Sequence, residues 1–367
     1  MPQPKSVLLA PDFLGRFGVF RLLFLQAKDC KMPKFFRIAA VLPLCLALLG
    51  GAQAQTGEPV LTVYTYSGFA GEYGPGTLVK QRFEASCGCR LKWVTTDDAG
   101  TLLARLKLEG ESTRADVVLG LDTNLMAQAE ATGLLAPHGV DVSALDLPVE
   151  WSDDIFVPFD WGWFAFVYDE TKLAKPPGSL RELVEAENGP KIVIQDPRTS
   201  TPGLGLLVWM RGVFGEEAGE AWRKLAPKVV TVTQGWSEAY GLFLKGEADM
   251  VLSYTTSPAY HIGAEGKANY KAALFSEGHY LQVEVAAMTR TSDDPELARS
   301  FLAFMLSEPF QSAIPEGNWM YPAVAPAALP ALFEGLPRPE KSTLASAQEV
   351  ESNRRAWVDE WLAAMSR

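Results

Sequence analysis

The feature that most constrains the fold is a long run of aromatic and β-branched residues near the middle of the chain. It spans residues 156–168, reads FVPFDWGWFAFVY, and has the composition of a buried β-strand. A second extended segment, residues 280–288, lies where the chain can cross back. Strand and helix patterns flank the first run on both sides, so the sequence predicts two α/β halves joined by two crossovers. A hinge and a ligand cleft are expected between the halves.

Within each half, apolar strands alternate with helical stretches, which is typical of α/β folds with parallel strands. The predicted strands span residues 60–66, 90–94, 116–120, 191–195, 229–232 and 250–254. The predicted helices span residues 76–85, 99–108, 237–244, 295–306 and 346–365, with further helices beginning near 124 and 179 and another ending near 214. At 367 residues the chain is long enough to bury the cores of two domains.

The N-terminus has the pattern of an export signal. From Met32, two basic residues precede a 12-residue apolar segment (38–49), and Ala52-Gln53-Ala54 forms a small-x-small cleavage site. We therefore expect residues 1–54 to be a signal segment with its true start at Met32 and cleavage near Ala54. The alternative is a buried N-terminal helix. A lipid anchor would need a cysteine at the cleavage site, and Cys45 lies well before it.

Charge and hydropathy exclude several classes of protein. The net charge is −11, and removal of seven basic and two acidic residues with the signal leaves 26 Lys and Arg against 42 Asp and Glu, a net charge of −16. Such an acidic chain lacks the clustered cations that nucleic-acid phosphates require. No apolar run reaches the roughly 18 residues of a membrane span. A soluble exported protein with a preference for cations is the expected product.

Two cysteines, Cys87 and Cys89, remain after processing. In an oxidising compartment they can pair with each other or with another chain. A metal site would need two more ligands, and no histidine lies nearby. The residues favour a structural or incidental use and leave the pairing open.

Four strand-to-helix joins carry unusual polar residues. They begin at Tyr66, Thr95, Thr199 and Tyr254, and helix N-termini at such joins offer free N–H groups to ligands. For the third join, Ser200 and Thr201 form either an anion cradle or an ordinary N-cap. The fourth join, residues 254–260, is either a binding loop or a polar turn with two core-facing tyrosines.

Aromatic residues next to turns add a second indication of a binding site. Trp236 and Trp319 stand beside glycine-containing turns, whereas Trp161, Trp163, Trp357 and Trp361 are assigned to packing. Nucleophile-elbow, zinc-protease and phosphate-loop motifs are absent from the sequence. The three histidines have no obvious nucleophile partner by spacing. We therefore expect a binding protein and not an enzyme.

These motifs together resemble the periplasmic thiamine-binding proteins, the substrate-binding components of thiamine ABC transporters. The resemblance runs from about residue 59 to 367, and the stretches that carry it are LTVYTY (61–66), ADVVLGLD (115–122), FVPFDWGWFAFVYD (156–169), QDPRTSTPGLGLL (195–207), GWSEAYGLFLKGEADMVLSYTTSPAYH (235–261), FSEGHYLQVEVAA (275–287) and IPEGNWMYP (314–322). It implies a two-lobed class II periplasmic binding protein fold that closes on thiamine, thiamine monophosphate or thiamine diphosphate. The implied lobes are residues 55–158 with 286–367, and residues 159–285.

The resemblance also implies a set of ligand-binding residues and partners. No metal, catalytic group or resident cofactor is implied; the partner is an inner-membrane permease, and the protein is expected to be a monomer. Ala99 replaces an expected glycine, and Tyr73 replaces an expected tryptophan. The implied ligand-binding residues are Tyr66, Asp98, Ala99, Ser200, Thr201, Trp236, Tyr254, Thr255, Thr256, Ser257, Tyr260 and Trp319.

The chemistry of thiamine fits this set. Aromatic faces suit its flat aminopyrimidine and cationic thiazolium rings, and Asp98 can offset the positive charge or accept from the amino group. The hydroxyl-rich turns suit a phosphate tail. Two alternatives remain, namely a protein that binds another cation, such as a polyamine or ferric iron, and an exported hydrolase of thiamine phosphates.

Overall fold

The computed structural model describes residues 57–325 and 329–366, so the predicted signal segment lies outside the described residues. The strands are β1 (Val60–Tyr66), β2 (Arg90–Thr96), β3 (Val117–Asp122), β4 (Leu135–Ala136), β5 (Val157–Asp169), β6 (Ile192–Gln195), β7 (Val229–Thr233), β8 (Met250–Tyr254), β9 (Tyr270–Ala272), β10 (His279–Thr289), β11 (Tyr321–Pro322) and β12 (Ser342–Thr343). Every strand predicted from the sequence is present, with ends that differ by a few residues.

Helices connect the strands on both sides of β5. They are α1 (Ser67–Ala70), α2 (Gly76–Cys87), α3 (Ala99–Glu109), α4 (Met126–Glu130), α5 (Leu180–Glu185), α6 (Thr201–Phe214), α7 (Ala218–Leu225), α8 (Trp236–Leu244), α9 (Ser257–Glu265), α10 (Pro295–Met305), α11 (Glu308–Gln311), α12 (Ile314–Gly317), α13 (Ala331–Glu334) and α14 (Ala347–Met365). The prediction ended α2 too early. The helix continues until Gly88, whose φ of 62° gives it a left-handed C-cap.

The sheet is mixed, whereas the alternation of strands and helices predicted parallel pairing. Its strand order is β2-β1-β3-β10-β5-β8-β6-β7. Pairing is parallel between β1 and its neighbours and between β6 and its neighbours. The two long strands β5 and β10 are antiparallel to each other, because each crosses the molecule instead of returning through a helix.

Strand β5 joins the two halves of the sheet. Its first part pairs with β10, and its last part, from Phe164 to Tyr168, pairs with β8. Twelve of its thirteen residues are buried, which explains the continuous apolar run in the sequence. This confirms that the run at 156–168 is a crossing strand.

The C-terminal helix α14 contacts helices from both halves. Trp361 packs edge-on against Trp222 of α7, with ring centroids 6.5 Å apart. The Arg354 guanidinium also donates to Oε1 of Gln128, which lies in α4 (2.6 Å). Trp161, Trp163, Trp357 and Trp361 are all buried, as their assignment to packing predicted. The lobe boundaries near residues 158 and 285 remain predictions.

Cys87 and Cys89 form a disulfide at the end of α2. Within the described residues there is no group of three or more His, Cys, Asp or Glu that could hold a metal ion. None of the helices in residues 57–325 and 329–366 is long and apolar enough to cross a membrane.

Candidate functional site

A cleft of about 380 Å³ lies where the joins predicted from the sequence come together. Its lining comes from the ends of β1, β2 and β8, from the middle of β10, from α8 and α9, and from the segment around the end of α12. The lining residues are Tyr66, Ser67, Gly68, Gly71, Glu72, Tyr73, Asp97, Asp98, Pro202, Trp236, Ser237, Tyr240, Gly241, Leu244, Tyr254, Ser257, Tyr260, Glu284, Gly317, Asn318, Trp319 and Met320. The cavity is large enough for a ligand of two small rings.

Seven of the twelve residues implied by the resemblance line this cleft. They are Tyr66, Asp98, Trp236, Tyr254, Ser257, Tyr260 and Trp319. The other five are buried behind the lining, namely Ala99, Ser200, Thr201, Thr255 and Thr256. Tyr73, which replaces an expected tryptophan, also lines the cleft and is exposed.

One wall of the cleft is organised by the carboxylate of Asp98. Oδ1 accepts from the backbone N–H groups of Ala99 (2.7 Å) and Thr201 (3.2 Å). Oδ2 accepts from the Ser200 hydroxyl (2.8 Å) and from the Trp236 N–H (3.3 Å). These donors begin α3, α6 and α8, so one carboxylate caps three helix N-termini. The hydroxyl of Ser200 therefore faces Asp98 in this structure.

The aromatic side walls are held in place by their own contacts. Trp236 stacks on Tyr240, with ring centroids 4.8 Å apart, and its indole N–H donates to Ser253 Oγ at 2.8 Å. Trp319 meets Tyr260 edge-on, with centroids 5.4 Å apart. These contacts present ring faces and edges to a flat ligand.

Trp319 has a left-handed backbone, with φ of 57°. It is the one non-glycine residue with positive φ in the part of the chain that the structure describes. A bulky residue in this conformation is strained, and such strain is often found at ligand-binding positions. Trp319 is therefore held against its backbone preference in the lining of the cleft.

The floor of the cleft contains residues that the sequence analysis did not single out. The Tyr66 hydroxyl donates to Glu284 Oε2 (2.7 Å), and the Asn318 amide donates to Asp160 Oδ2 (2.6 Å) and to the Tyr66 hydroxyl oxygen (3.0 Å). Glu284 on β10 stands directly opposite Asp160 on β5. The sequence signal that could have identified these two carboxyls is the presence of an acidic residue inside each of the two long apolar strands.

Burial raises the pKa values of these floor groups. For Asp160 the loss of solvent raises the carboxyl pKa to about 7, although the amide of Asn318 opposes the shift. Burial, and then the charge of Asp160, raise the pKa of Glu284 well above its usual range. Burial also raises the pKa of the Tyr66 and Tyr254 hydroxyls, so both remain neutral donors. The floor is thus able to hold a proton near neutral pH.

The two crossing strands and the aromatic-lined cleft above them are typical of solute-binding proteins, and comparison with known proteins agrees. The sequence model of the bacterial extracellular solute-binding protein family matches residues 76–312 of this chain. The chain belongs to this family. A protein of Escherichia coli K12 named thiamine-binding periplasmic protein is 59% identical over 89% of this chain and 100% of its own length.

Two further relatives carry similar names. The thiamine-binding periplasmic protein of Haemophilus influenzae is 43% identical over 88% of this chain and 97% of its own. A solved structure, described as a periplasmic thiamin binding protein, superposes with a TM-score of 0.83 at 60% identity, over 84% of this chain and 97% of that one. The predicted resemblance and the two-lobed periplasmic binding protein fold are confirmed. These relatives are named for binding, which supports a binding role over a catalytic one.

Proposed function

We propose that this protein captures thiamine, thiamine monophosphate and thiamine diphosphate in the periplasm and delivers them to the inner-membrane permease of an ABC importer. The observation that carries the proposal is the cleft itself, which has aromatic walls, carboxylates and no Lys, Arg or His among its described lining residues. Such a lining suits a flat cation. The names of the relatives supply the identity of that cation.

The rings of thiamine would lie between the aromatic walls. Tyr66, Trp236, Tyr260 and Trp319 all present ring surface to the cleft, and Tyr73 adds another at its exposed edge. Stacking of a desolvated cation on such rings contributes roughly 2 kcal/mol or more. Tyr254 and Ser257 also line the cleft and offer a ring and a hydroxyl.

A phosphate tail would be bound by the helix N-termini near Asp98. Ser200, Thr201 and the backbone at Ala99 and Trp236 supply N–H and hydroxyl donors, which are suited to an anion without help from Lys or Arg. Thr255 and Thr256 stand behind the same cleft at the start of α9. The five residues behind the lining, namely Ala99, Ser200, Thr201, Thr255 and Thr256, would reach the phosphate in the proposed complex once the contacts of Asp98 rearrange.

Closure of two lobes would enclose the ligand. The proposed lobes are residues 55–158 with 286–367, and residues 159–285. Asp98 lies in the first of these, while Ser200, Thr201 and Trp236 lie in the second, so its hydrogen bonds cross the cleft. The protein would act as a monomer, because delivery requires a cleft that is free to open. The export signal would be removed near Ala54.

The decisive test is a fluorescence titration of the exported protein, refolded after removal of any bound ligand. We expect saturable tryptophan quenching by thiamine and its two phosphate esters. Trp236→Ala and Trp319→Ala should each weaken binding, whereas Trp151→Phe, at a tryptophan outside the cleft, should not. If both cleft variants bind thiamine as the parent does, the site assignment is wrong.

Parallel probes separate this function from its alternatives. Quenching by spermidine without thiamine binding would indicate a polyamine-binding protein, and a colour band on adding ferric iron would indicate iron binding. Phosphate release from thiamine monophosphate above the buffer rate would indicate a hydrolase. Delivery is tested by labelled thiamine uptake into proteoliposomes that contain the permease. N-terminal sequencing of the exported protein tests cleavage near Ala54.

A further inference from the structure

The floor of the cleft combines a cavity-lining carboxyl with a second carboxyl directly behind it. Glu284 lines the cleft and is 6% exposed, and Asp160 opposite it on β5 is fully buried. Within the described residues, Asp160 Oδ1 has no hydrogen-bond partner. Two buried carboxyls in adjacent strands are costly unless a proton or a cation offsets their charge.

Within the part of the chain that the structure describes, no Lys, Arg or His donates a hydrogen bond to Glu284. Glu284 accepts hydrogen bonds from neutral donors, namely the Tyr66 hydroxyl (2.7 Å), the Gln282 amide (2.9 Å) and, more distantly, the Asn318 amide (3.5 Å). The Tyr254 hydroxyl on β8 donates to the other end of Gln282 (2.9 Å) and is also uncharged.

The charged neighbours of Glu284 that shift its pKa are all acidic. They lie on three sides, with Asp160 on β5, Asp122 directly across on β3, and Asp98 in the wall of the cleft. Of these, Asp98 is already engaged by four hydrogen-bond donors. Glu284 is therefore the buried carboxyl of the cleft that lacks an internal counter-charge.

We propose that Glu284, with Asp160 behind it, selects a cationic heterocycle over a neutral one of the same shape. This inference rests on the proposed function, because thiamine is the cation in question. In the empty cleft Glu284 carries a proton, and a bound thiazolium cation stabilises the carboxylate. Binding then releases that proton to solvent, and the charge of the ligand replaces it.

Two consequences follow from this exchange. Thiamine affinity rises with pH through the neutral range, because the cation binds the deprotonated floor and competes with the proton. A neutral ligand of identical shape gains nothing from deprotonation. Its affinity is therefore insensitive to pH over the same range, and it releases no proton.

The test compares thiamine with an analogue in which a neutral thiophene replaces the thiazolium ring. Both are titrated by calorimetry into the exported protein, in buffers of different ionisation enthalpy, so that proton release is measured directly. We expect the parent to prefer thiamine by at least about tenfold and to release a proton. Glu284→Gln should lose most of this preference and the proton release, while its affinity for the neutral analogue stays near that of the parent.

Two variants serve as controls. Glu238→Gln removes an exposed carboxylate on α8 that does not line the cleft, and it should keep the preference and the proton release because solvent screens that charge. Asp160→Asn removes the charge behind Glu284, so it should lower the number of protons released at neutral pH while the preference for the cation persists. Thermal melts confirm that each variant is folded.

The outcomes are distinguishable. If the parent binds thiamine tightly and Glu284→Gln keeps both the preference and the proton release, this inference is overturned and the proposed function stands. If the parent shows no preference for the cation over the neutral analogue, the inference also fails. If the parent binds neither compound, the proposed function itself fails.

Discussion

Two regions of the cleft use buried carboxyls in opposite ways. In the wall, Asp98 accepts four hydrogen bonds from three helix N-termini. In the floor, Asp160 accepts a hydrogen bond from Asn318 and faces Glu284 across the strands. Burial raises the pKa of the carboxyl in both regions, yet in the wall the donors oppose that rise, whereas in the floor the charge of Asp160 adds to it for Glu284.

The difference shows that the partners, and not burial alone, decide what a carboxyl does. Asp98 has its charge stabilised by N–H groups and holds separate parts of the chain together. The donors to Glu284 and Asp160 are neutral side-chain groups and not helix N-termini, and the two carboxyls face each other, so this pair suits the proposed exchange of a proton for a positive ligand. The wall therefore determines the geometry of the cleft, and the floor determines the charge of what it holds.

The largest effect is expected for Asp98→Ala. The substitution leaves the buried N–H groups of Ala99 and Thr201 and the part-buried N–H of Trp236 without this acceptor, at a cost of roughly 3 kcal/mol, or about a hundredfold in thiamine affinity if the cost falls on the closed state. Calorimetric titration measures the loss of thiamine affinity, and thermal melts measure the loss of stability. Asp97→Ala, at the exposed neighbouring position, should change affinity less than about threefold. Equal losses of thiamine affinity for Asp98→Ala and Asp97→Ala would contradict the view that Asp98 organises the wall of the cleft.

An intermediate effect is expected from Asp160→Asn on the pH dependence of stability. The folded-state pKa of about 7 lies above the usual unfolded value, so the folded protein binds more protons between about pH 4 and 7. Stability contributed by this group is therefore lost as pH rises through that window, by up to about 1.4 kcal/mol per pH unit. Asp160→Asn removes the loss, and urea unfolding of the ligand-free protein at pH 5 and 7.5 measures it.

Asp169→Asn is the matched control with the opposite sign. Partial burial opposes ionisation of Asp169, but hydrogen bonds from Thr171 and Asn269 outweigh it and lower the carboxyl pKa. Its stabilising contribution is present at neutral pH and disappears as the pH falls through the folded pKa. The variant should therefore lose stability at pH 7.5 more than at low pH. If both substitutions change the pH dependence of the unfolding free energy in the same direction, the raised pKa assigned to Asp160 is contradicted.

The smallest effect is expected for Ser200→Ala. It removes one of the four donors to Asp98, and the three backbone N–H groups remain. A loss of about 1 kcal/mol, or roughly fivefold in affinity, is expected for one neutral donor. Calorimetry again measures it, with Ser237→Ala at an exposed lining position as the comparison. A loss as large as that of Asp98→Ala would mean that the hydroxyl contacts the ligand directly.

Much of this arrangement follows from local sequence patterns. The aromatic run at 156–168 predicted a crossing strand, and the turns at Tyr66, Trp236, Tyr254 and Trp319 predicted which segments meet at the cleft. The structure contains that strand and brings these four turns to one cleft, because strand composition and strand-to-helix joins are local properties, while the binding role of the turns stays a prediction. The two long strands also explain why a mixed sheet forms in place of a parallel one.

Other features depend on contacts between residues that are distant in the sequence. Ser200 and Asp98 are separated by 102 positions, and no local pattern shows that the hydroxyl of one faces the carboxylate of the other. Glu284 and Asp160 each look like a single polar residue in an apolar strand. Their pairing depends on the register between β5 and β10, which a single sequence does not specify.

The backbone of Trp319 has a consequence for laboratory evolution of this protein. A left-handed conformation favours glycine, so Trp319→Gly relieves conformational strain while it deletes a ring from the cleft. A selection that rewards thermostability alone is expected to accept this change, and one that rewards ligand capture is expected to reject it. Libraries screened for heat resistance should therefore also be screened for ligand binding, since thermostability favours glycine at position 319 and ligand binding favours tryptophan.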